Sequence, residues 1–199
     1  MRKILVVFAI CLLGSTVALA APISYYTVGQ FSNDTGGTAN IINAPLTGLL
    51  TGLPSEATIS ASTLWFTGTS GPGLPPVTIP LGDFDVTSVN LSKQDFSNVD
   101  FNLYIYQSNP SGAYDLAGEI GGTLKLFGND LEWIPATTAF SISGINYTLN
   151  NLDTDKDLDL SNNDNPTASL TAVPEPASLL LMGSGLLSLA GIARRRFFS

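Results

Sequence analysis

The stretch VDFNLYIYQ, residues 99–107, decides the fold class of this chain. Apolar side chains alternate there with polar or amphipathic ones at every second residue. Strict alternation places the two kinds of side chain on opposite faces of an extended strand, which is typical of a strand with one buried face. The predicted core face holds Phe101, Leu103 and Ile105, and the predicted outer face holds Asn102, Tyr104 and Tyr106.

Three further stretches have the same β character: ATISASTLWF (57–66), GGTLKLFGND (121–130) and TTAFSISGINYTL (137–149). Clusters of Gly, Pro and Asn, typical of turns, separate these stretches. Many short strands with such turns predict an all-β body, a single β-sandwich of the jelly-roll or immunoglobulin-like kind over residues 21–172. The segment 29–54 is compatible with either a long loop or irregular strands.

The charge of this body excludes one class of partner. Residues 21–172 hold three lysines against fifteen Asp and Glu, a formal net charge of −12. Such a surface repels phosphate backbones, so we predict no nucleic-acid binding. The body is nevertheless too rich in apolar and aromatic residues to be disordered.

The composition also removes most catalytic chemistry. The chain has no histidine, and its single cysteine, Cys11, lies near the N-terminus. A Ser-His-Asp triad, a histidine metal site and, in the body, a thiol nucleophile are therefore impossible. General acid–base catalysis would depend on carboxylates such as Glu56, Glu119 and Glu132. We interpret these three residues as ordinary surface or strand-end acids. We predict that the protein is not an enzyme.

The N-terminus has the pattern of a secretory signal peptide over residues 1–20. Two basic residues precede a short apolar run, and Ala18 and Ala20 form the small-residue box that signal peptidase reads. Cleavage before Ala21 is expected. The alternative is an uncleaved N-terminal anchor, for which the apolar run is short.

The C-terminus, residues 173–199, combines three features. Pro174, Glu175 and Pro176 precede an uncharged run over residues 177–193, and an arginine cluster follows it at once. The run is just long enough to cross a bilayer as a helix. Positive charges stay on the cytoplasmic side, so the body is predicted to lie outside the membrane. The cluster consists of Arg194, Arg195 and Arg196.

These features in this order resemble the PEP-CTERM sorting signal of exported proteins of Gram-negative bacteria. The resemblance covers residues 173–196 and implies recognition by an exosortase, a membrane-embedded protease-transpeptidase. It also implies transient anchoring in the inner membrane, a cut near Pro174–Pro176, and delivery to the cell surface or the exopolysaccharide matrix. The prolines fit this role, because they keep the chain extended, as a protease cleft requires.

A run of acids before the tail resembles a calcium-binding loop. In LDTDKDLDLSNND, residues 152–164, acidic side chains occupy alternate positions, as the oxygen ligands of an EF-hand or dockerin loop do. Leu158 stands where that pattern needs glycine, so an acidic strand with its aspartates facing solvent is the alternative. The candidate ligands are Asp153, Asp155, Asp157, Asp159 and Asp164.

Together these patterns predict a non-catalytic surface or matrix protein with a structural or adhesive role in a biofilm. One alternative is a carbohydrate-binding module with Tyr104 and Tyr106 as an aromatic platform. Others are a calcium-binding module and a tail-anchored membrane protein that is never cut.

Overall fold

The structure is a computed structural model that describes residues 22–46, 53–88, 91–126, 130–152, 158–160 and 165–173, with single positions at 183, 185, 186 and 190. The body is built from strands, so the all-β prediction is confirmed. In chain order the strands of the described residues are β1 (Ile23–Asn33), β2 (Asn40–Ile42), β3 (Pro54–Ile59), β4 (Ser62–Thr67), β5 (Ser70–Gly73), β6 (Val77–Pro80), β7 (Asp83–Ser88), β8 (Gln94–Asp95), β9 (Val99–Ser108), β10 (Ser111–Leu124), β11 (Asp130–Pro135), β12 (Ala139–Ile142), β13 (Ile145–Asn150), β14 (Leu158–Asp159) and β15 (Thr167–Ala172).

These strands form two layers. One layer is a seven-stranded sheet in the order β14-β11-β10-β9-β1-β5, with β8 paired to β10. The other consists of two four-stranded sheets, β12-β13-β15-β6 and β2-β3-β4-β7. All the strand pairs are antiparallel. The long strands β1, β9 and β10 form the middle of the large sheet, and their inner faces supply much of the core.

An aromatic cluster joins the large sheet to the sheet that contains β4 and β7. Its centre is Phe101, which is fully buried. Four rings surround it with centroids 4.8–5.5 Å away, in tilted or edge-to-face orientations that suit aromatic pairs. These rings belong to Phe31, Phe66, Phe84 and Trp133.

A buried hydrogen bond joins the large sheet to the sheet that contains β13. The Tyr147 hydroxyl donates to Oε1 of Gln107 at 2.7 Å, and Nε2 of Gln107 donates to the Pro110 carbonyl at 2.6 Å. Burial, with a smaller effect from Tyr25, raises the pKa of Tyr147 to about 12. The protonated, donating form of Tyr147 is therefore the one present at neutral pH, and it satisfies the amide oxygen of Gln107 inside the core.

The alternation over residues 99–107 holds in the structure. Phe101, Leu103 and Ile105 are fully buried, whereas Tyr104 and Tyr106 are half-buried on the other face. The stretch 57–66 differs from one continuous strand. It is a hairpin formed by β3 and β4, and Ser60 in its turn has φ 56°. This turn contains no glycine, proline or asparagine from which it could have been predicted. The segment 29–54 contains the end of β1 and the short strand β2 among its described residues.

Candidate functional site

The junction between the body and the tail begins at an interior strand. β15 lies between β13 and β6, with Ala172 opposite Ile145 and Leu170 opposite Val77. The amide of Val173 donates to the Gly144 carbonyl at 2.9 Å, one residue before the Pro-Glu-Pro. The folded body therefore extends up to the predicted processing site without a spacer.

Most of the residues predicted to act in targeting lie outside the described part of the chain. Of the predicted helix 177–193, four positions are described, and all four are helical: Gly183, Gly185, Leu186 and Ala190. Among the described residues, no helix is both long and apolar enough to cross a membrane. The remaining predicted targeting residues, outside the description, are Ala18, Ala20, Ala21, Pro174, Glu175, Pro176, Arg194, Arg195 and Arg196.

A second candidate site is the outer face of the large sheet, which carries three tyrosines. Tyr26 on β1 stands directly opposite Tyr106 on β9, and their rings stack at 4.6 Å with an interplanar angle of 12°. Tyr104 follows on the same face of β9, opposite Val28. The sequence prediction included Tyr104 and Tyr106 but missed Tyr26, because only the pairing of β1 with β9 brings Tyr26 to this face.

We name the outward face of β10 between the tyrosines and Ile134 the furrow. Its outward-facing residues are Ala113 opposite Tyr106, Asp115 opposite Tyr104, and Ala117 opposite Asn102. Ile134 of β11, which is exposed, is opposite Glu119, the next outward-facing residue of β10. The furrow thus has tyrosine rings at one end, an aliphatic side chain at the other end, and an aspartate between two alanines.

An open pocket lies at the Ile134 end of the furrow, and none of the three tyrosines lines it. This pocket has a volume of about 450 Å³, and its lining includes Ser32, Asp100, Asn102, Ala117, Glu119 and Ile134. Within the described residues, the side chains of Asn102 and Glu119 make no hydrogen bond, so their donors and acceptors are available to a ligand. Sugars are recognised by such a combination of flat apolar surface and planar polar groups.

The furrow is electrostatically negative. Asp100 and Glu119 stand directly opposite each other on β9 and β10. Partial burial, and then the nearby carboxylates of Asp34 and Glu119, raise the pKa of Asp100. Burial also raises the pKa of Tyr106, with smaller effects from its neighbours Tyr26, Tyr104 and Asp115. Like charges placed opposite each other destabilise a sheet, so this pair is a cost to the fold.

The three glutamates considered for catalysis lie in different settings. Glu56 accepts a hydrogen bond from Nε1 of Trp65 at 2.9 Å. Glu132 is opposite Asp159 on the edge strand β14. Glu119 lines the open pocket together with a second acid, Asp100. The side chains of Asp100 and Glu119 are neighbours on one face of the sheet. The two carboxylates of a glycosidase instead lie on either side of the scissile bond.

The predicted calcium loop is described only at residues 158–160. Leu158 and Leu160 are buried on either side of Asp159, and Leu158 pairs with Trp133. Asp159 is half-buried in the two-residue strand β14, and it is the one candidate ligand that lies within the described residues. In the described parts of the chain, no three acidic side chains converge to hold a metal ion. Calcium binding stays a prediction, because the other candidate ligands lie outside the description: Asp153, Asp155, Asp157 and Asp164.

Comparison with known proteins assigns the tail. The model of the PEP-CTERM protein-sorting motif matches residues 172–196, which confirms the resemblance seen in the sequence. Neither the curated proteins nor the solved structures contain a match to this chain. The motif implies export, a membrane-anchoring sorting signal and processing by an exosortase. It starts at the last residue of β15, so the body and the motif adjoin directly.

Proposed function

We propose that this chain is a non-catalytic surface or matrix protein whose β-sandwich is delivered by its tail to the cell surface or the exopolysaccharide. The observation that carries the proposal is the sorting motif at residues 172–196, directly after the last strand of a folded body. The motif supplies the route, and the body is the part that remains once the tail has been removed. In this role, signal peptidase and exosortase process the chain, and the tail anchors the chain in the inner membrane until it is removed.

Replacing both prolines of the motif, Pro174→Ala with Pro176→Ala, is expected to stop processing. Without them the chain before the apolar run can become helical and no longer fits an extended protease cleft. We would measure the intact mass of the protein in the membrane and in the outer-surface fraction of its native cells. The unaltered chain should appear outside, starting at Ala21 and ending near residues 174–176. The variant should stay in the membrane and end at Ser199.

A matched control places the same substitution elsewhere. Pro45→Ala with Pro54→Ala changes two prolines in the body and should leave processing intact. Recovery of the unaltered chain from the inner membrane with Ser199 still present would contradict processing. That result would instead favour a permanent tail anchor.

A second candidate function, carbohydrate binding, is favoured by the furrow. The stacked pair Tyr26–Tyr106 and the neighbouring Tyr104 offer ring surface beside the amide of Asn102. Sugar rings stack on aromatic faces through their C–H groups and bind planar amides and carboxylates through their hydroxyls. The body would then adhere to the matrix by holding its polysaccharide. The nearby acids favour neutral or amino-bearing chains over polymers of uronic acids.

The double variant Tyr104→Ala with Tyr106→Ala is expected to weaken polysaccharide binding by roughly ten-fold or more, since two stacking contacts are lost. Binding would be measured by calorimetry with oligomers of glucose, of glucosamine and of a uronic acid. Trp65→Ala is the control, because it removes a half-buried aromatic from the opposite layer. An equal loss of binding affinity in the double tyrosine variant and in Trp65→Ala would contradict a site in the furrow. Tightest binding to the uronic acid oligomer would contradict it as well.

A further inference from the structure

The two ends of the body emerge at the same pole of the sandwich. Near its start, the Ser24 carbonyl accepts a hydrogen bond from the Ser108 hydroxyl at 3.1 Å. Ser108 pairs with Ser111 across the turn between β9 and β10, and the Ser111 carbonyl accepts from the Ser143 hydroxyl at 2.7 Å. The next residue, Gly144, accepts the amide of Val173. A short chain of direct contacts therefore links residue 24 to residue 173.

We name this end the junction pole; it comprises residues 22–24, 72–77, 107–112, 142–145 and 171–173. None of these residues has a charged side chain, although the body as a whole has a formal charge of −12. Two apolar side chains are exposed there: Leu74 at 54% and Val173 at 42%. Gly73, just before Leu74, is opposite Ile23, which places Leu74 beside the chain entry.

The opposite pole differs in charge. β1 and β9 run in register from Tyr25 and Gln107 to Asn33 and Val99, about 27 Å away at 3.4 Å per residue. The far turn around Ser97 lies beyond Val99, and Asp34, Lys93 and Asp95 lie near it. Asp34 and Asp95 thus lie at the end of the large sheet that is away from the junction pole.

The reach of the chain limits how far the junction pole can be from a membrane. Three residues lie between Val173 and Ala177, the first residue of the uncharged run, so the chain takes four steps from one to the other. A fully extended chain covers at most about 3.6 Å per residue, so the pole lies within about 14 Å of that run. The headgroup region on each side of a bilayer is roughly 5–8 Å deep, so the pole is within reach of this region, in which Leu74 and Val173 can be covered.

We propose that the junction pole is a membrane-resting surface: while the tail is attached, the body stands on the lipid headgroups with this pole down and the turn around Ser97 outermost. The inference rests on the proposed function, because it requires the tail to be in the membrane. An uncharged pole with apolar tips fits an anionic bilayer, whereas the acidic far pole is repelled by it. The Pro-Glu-Pro is thereby held at the membrane surface, within reach of a membrane-embedded protease.

The test uses the full chain, produced in a Gram-negative host without an exosortase so that the tail remains. Cys11→Ala removes the only cysteine, and Ser111→Cys or Ser97→Cys then places a fluorophore at the junction pole or at the far pole. Both serines are exposed and adjoin turns, so they form a matched pair. The labelled proteins are reconstituted in vesicles whose lipids carry a nitroxide quencher on the headgroup.

We expect quenching at position 111 to be at least twice that at position 97. Adding Leu74→Asp should reduce the quenching at 111, whereas Leu91→Asp, which charges an exposed leucine near the far turn, should not. Equal quenching at the two positions, or stronger quenching at 97, would overturn the proposal. Because the tail is never cut in this experiment, its failure is distinguishable from a failure of exosortase processing, which the mass measurement detects.

Discussion

Replacing Phe101 by alanine is expected to lower the free energy of unfolding of the processed protein by about 3–5 kcal/mol, the usual cost of removing a buried phenylalanine. Phe101 is fully buried and contacts four other rings, so no neighbour can be shifted into the space without losing its own contacts. The cavity left by the substitution would also lie at the contact between the large sheet and the sheet of β4 and β7, so the packing of these two sheets would be weakened. For a body of this size the melting temperature should fall by roughly 6–20 °C.

Thermal unfolding followed by circular dichroism measures this effect. Tyr104→Ala is the control, since it removes a ring of similar size from the other face of the same strand. Its expected cost is about 1 kcal/mol or less, as is usual for positions outside the core. If both variants lost the same stability, the inner face of β9 would not be the centre of the core.

Gly122→Ala is the second substitution with a large expected effect, a loss of at least about 3 kcal/mol. Gly122 has φ 91°, a conformation that L-residues avoid. A methyl group there would also overlap the backbone carbonyl oxygen of Asp130 on the neighbouring strand. Because the Gly122 carbonyl accepts the amide of Phe96 at 3.1 Å, a shift of this backbone would disturb the β8 region too.

The adjacent glycine is a matched control. At Gly121 a methyl group would meet nothing closer than Ile134 Cδ1 at 3.5 Å, which is an ordinary contact, and its φ is not positive. Gly121→Ala should therefore change the urea midpoint only slightly. If both variants had a much lower free energy of unfolding, β10 would tolerate no side chain at this bend. If both had nearly the free energy of unfolding of the unaltered protein, the described backbone at Gly122 would be contradicted.

The strand of residues 99–107 was predictable because local alternation alone determines which side chains it buries. The hairpin of β3 and β4 was not, because its turn at Ser60 contains no glycine, proline or asparagine, the residues by which the other turns were located, and the position of the hairpin depends on pairing with β7. The furrow shows the same limit. Tyr104 and Tyr106 are visible in the alternation, whereas Tyr26, Ala113 and Ile134 join them only through the registers of three strand pairs, of which β1–β9 is long-range.

The tail was predictable for a different reason. Its recognition depends on a short contiguous pattern that a processing enzyme must read in an extended chain, so little tertiary structure is involved. The opposition of Asp100 and Glu119, by contrast, brings together residues nineteen positions apart, and no local signal marks it.

The central position of β15 has a consequence for the timing of synthesis. A chain emerges from its N-terminal end, so β6 and β13 appear before the strand that must lie between them. Until residue 172 has emerged, both keep an unpaired edge, which is open to proteases and to aggregation. A prematurely terminated chain can never close this sheet, so the body becomes protease-resistant only when the residues just before the sorting motif have been made. Only chains that have been synthesised up to the start of the sorting motif can therefore complete this sheet and resist proteases.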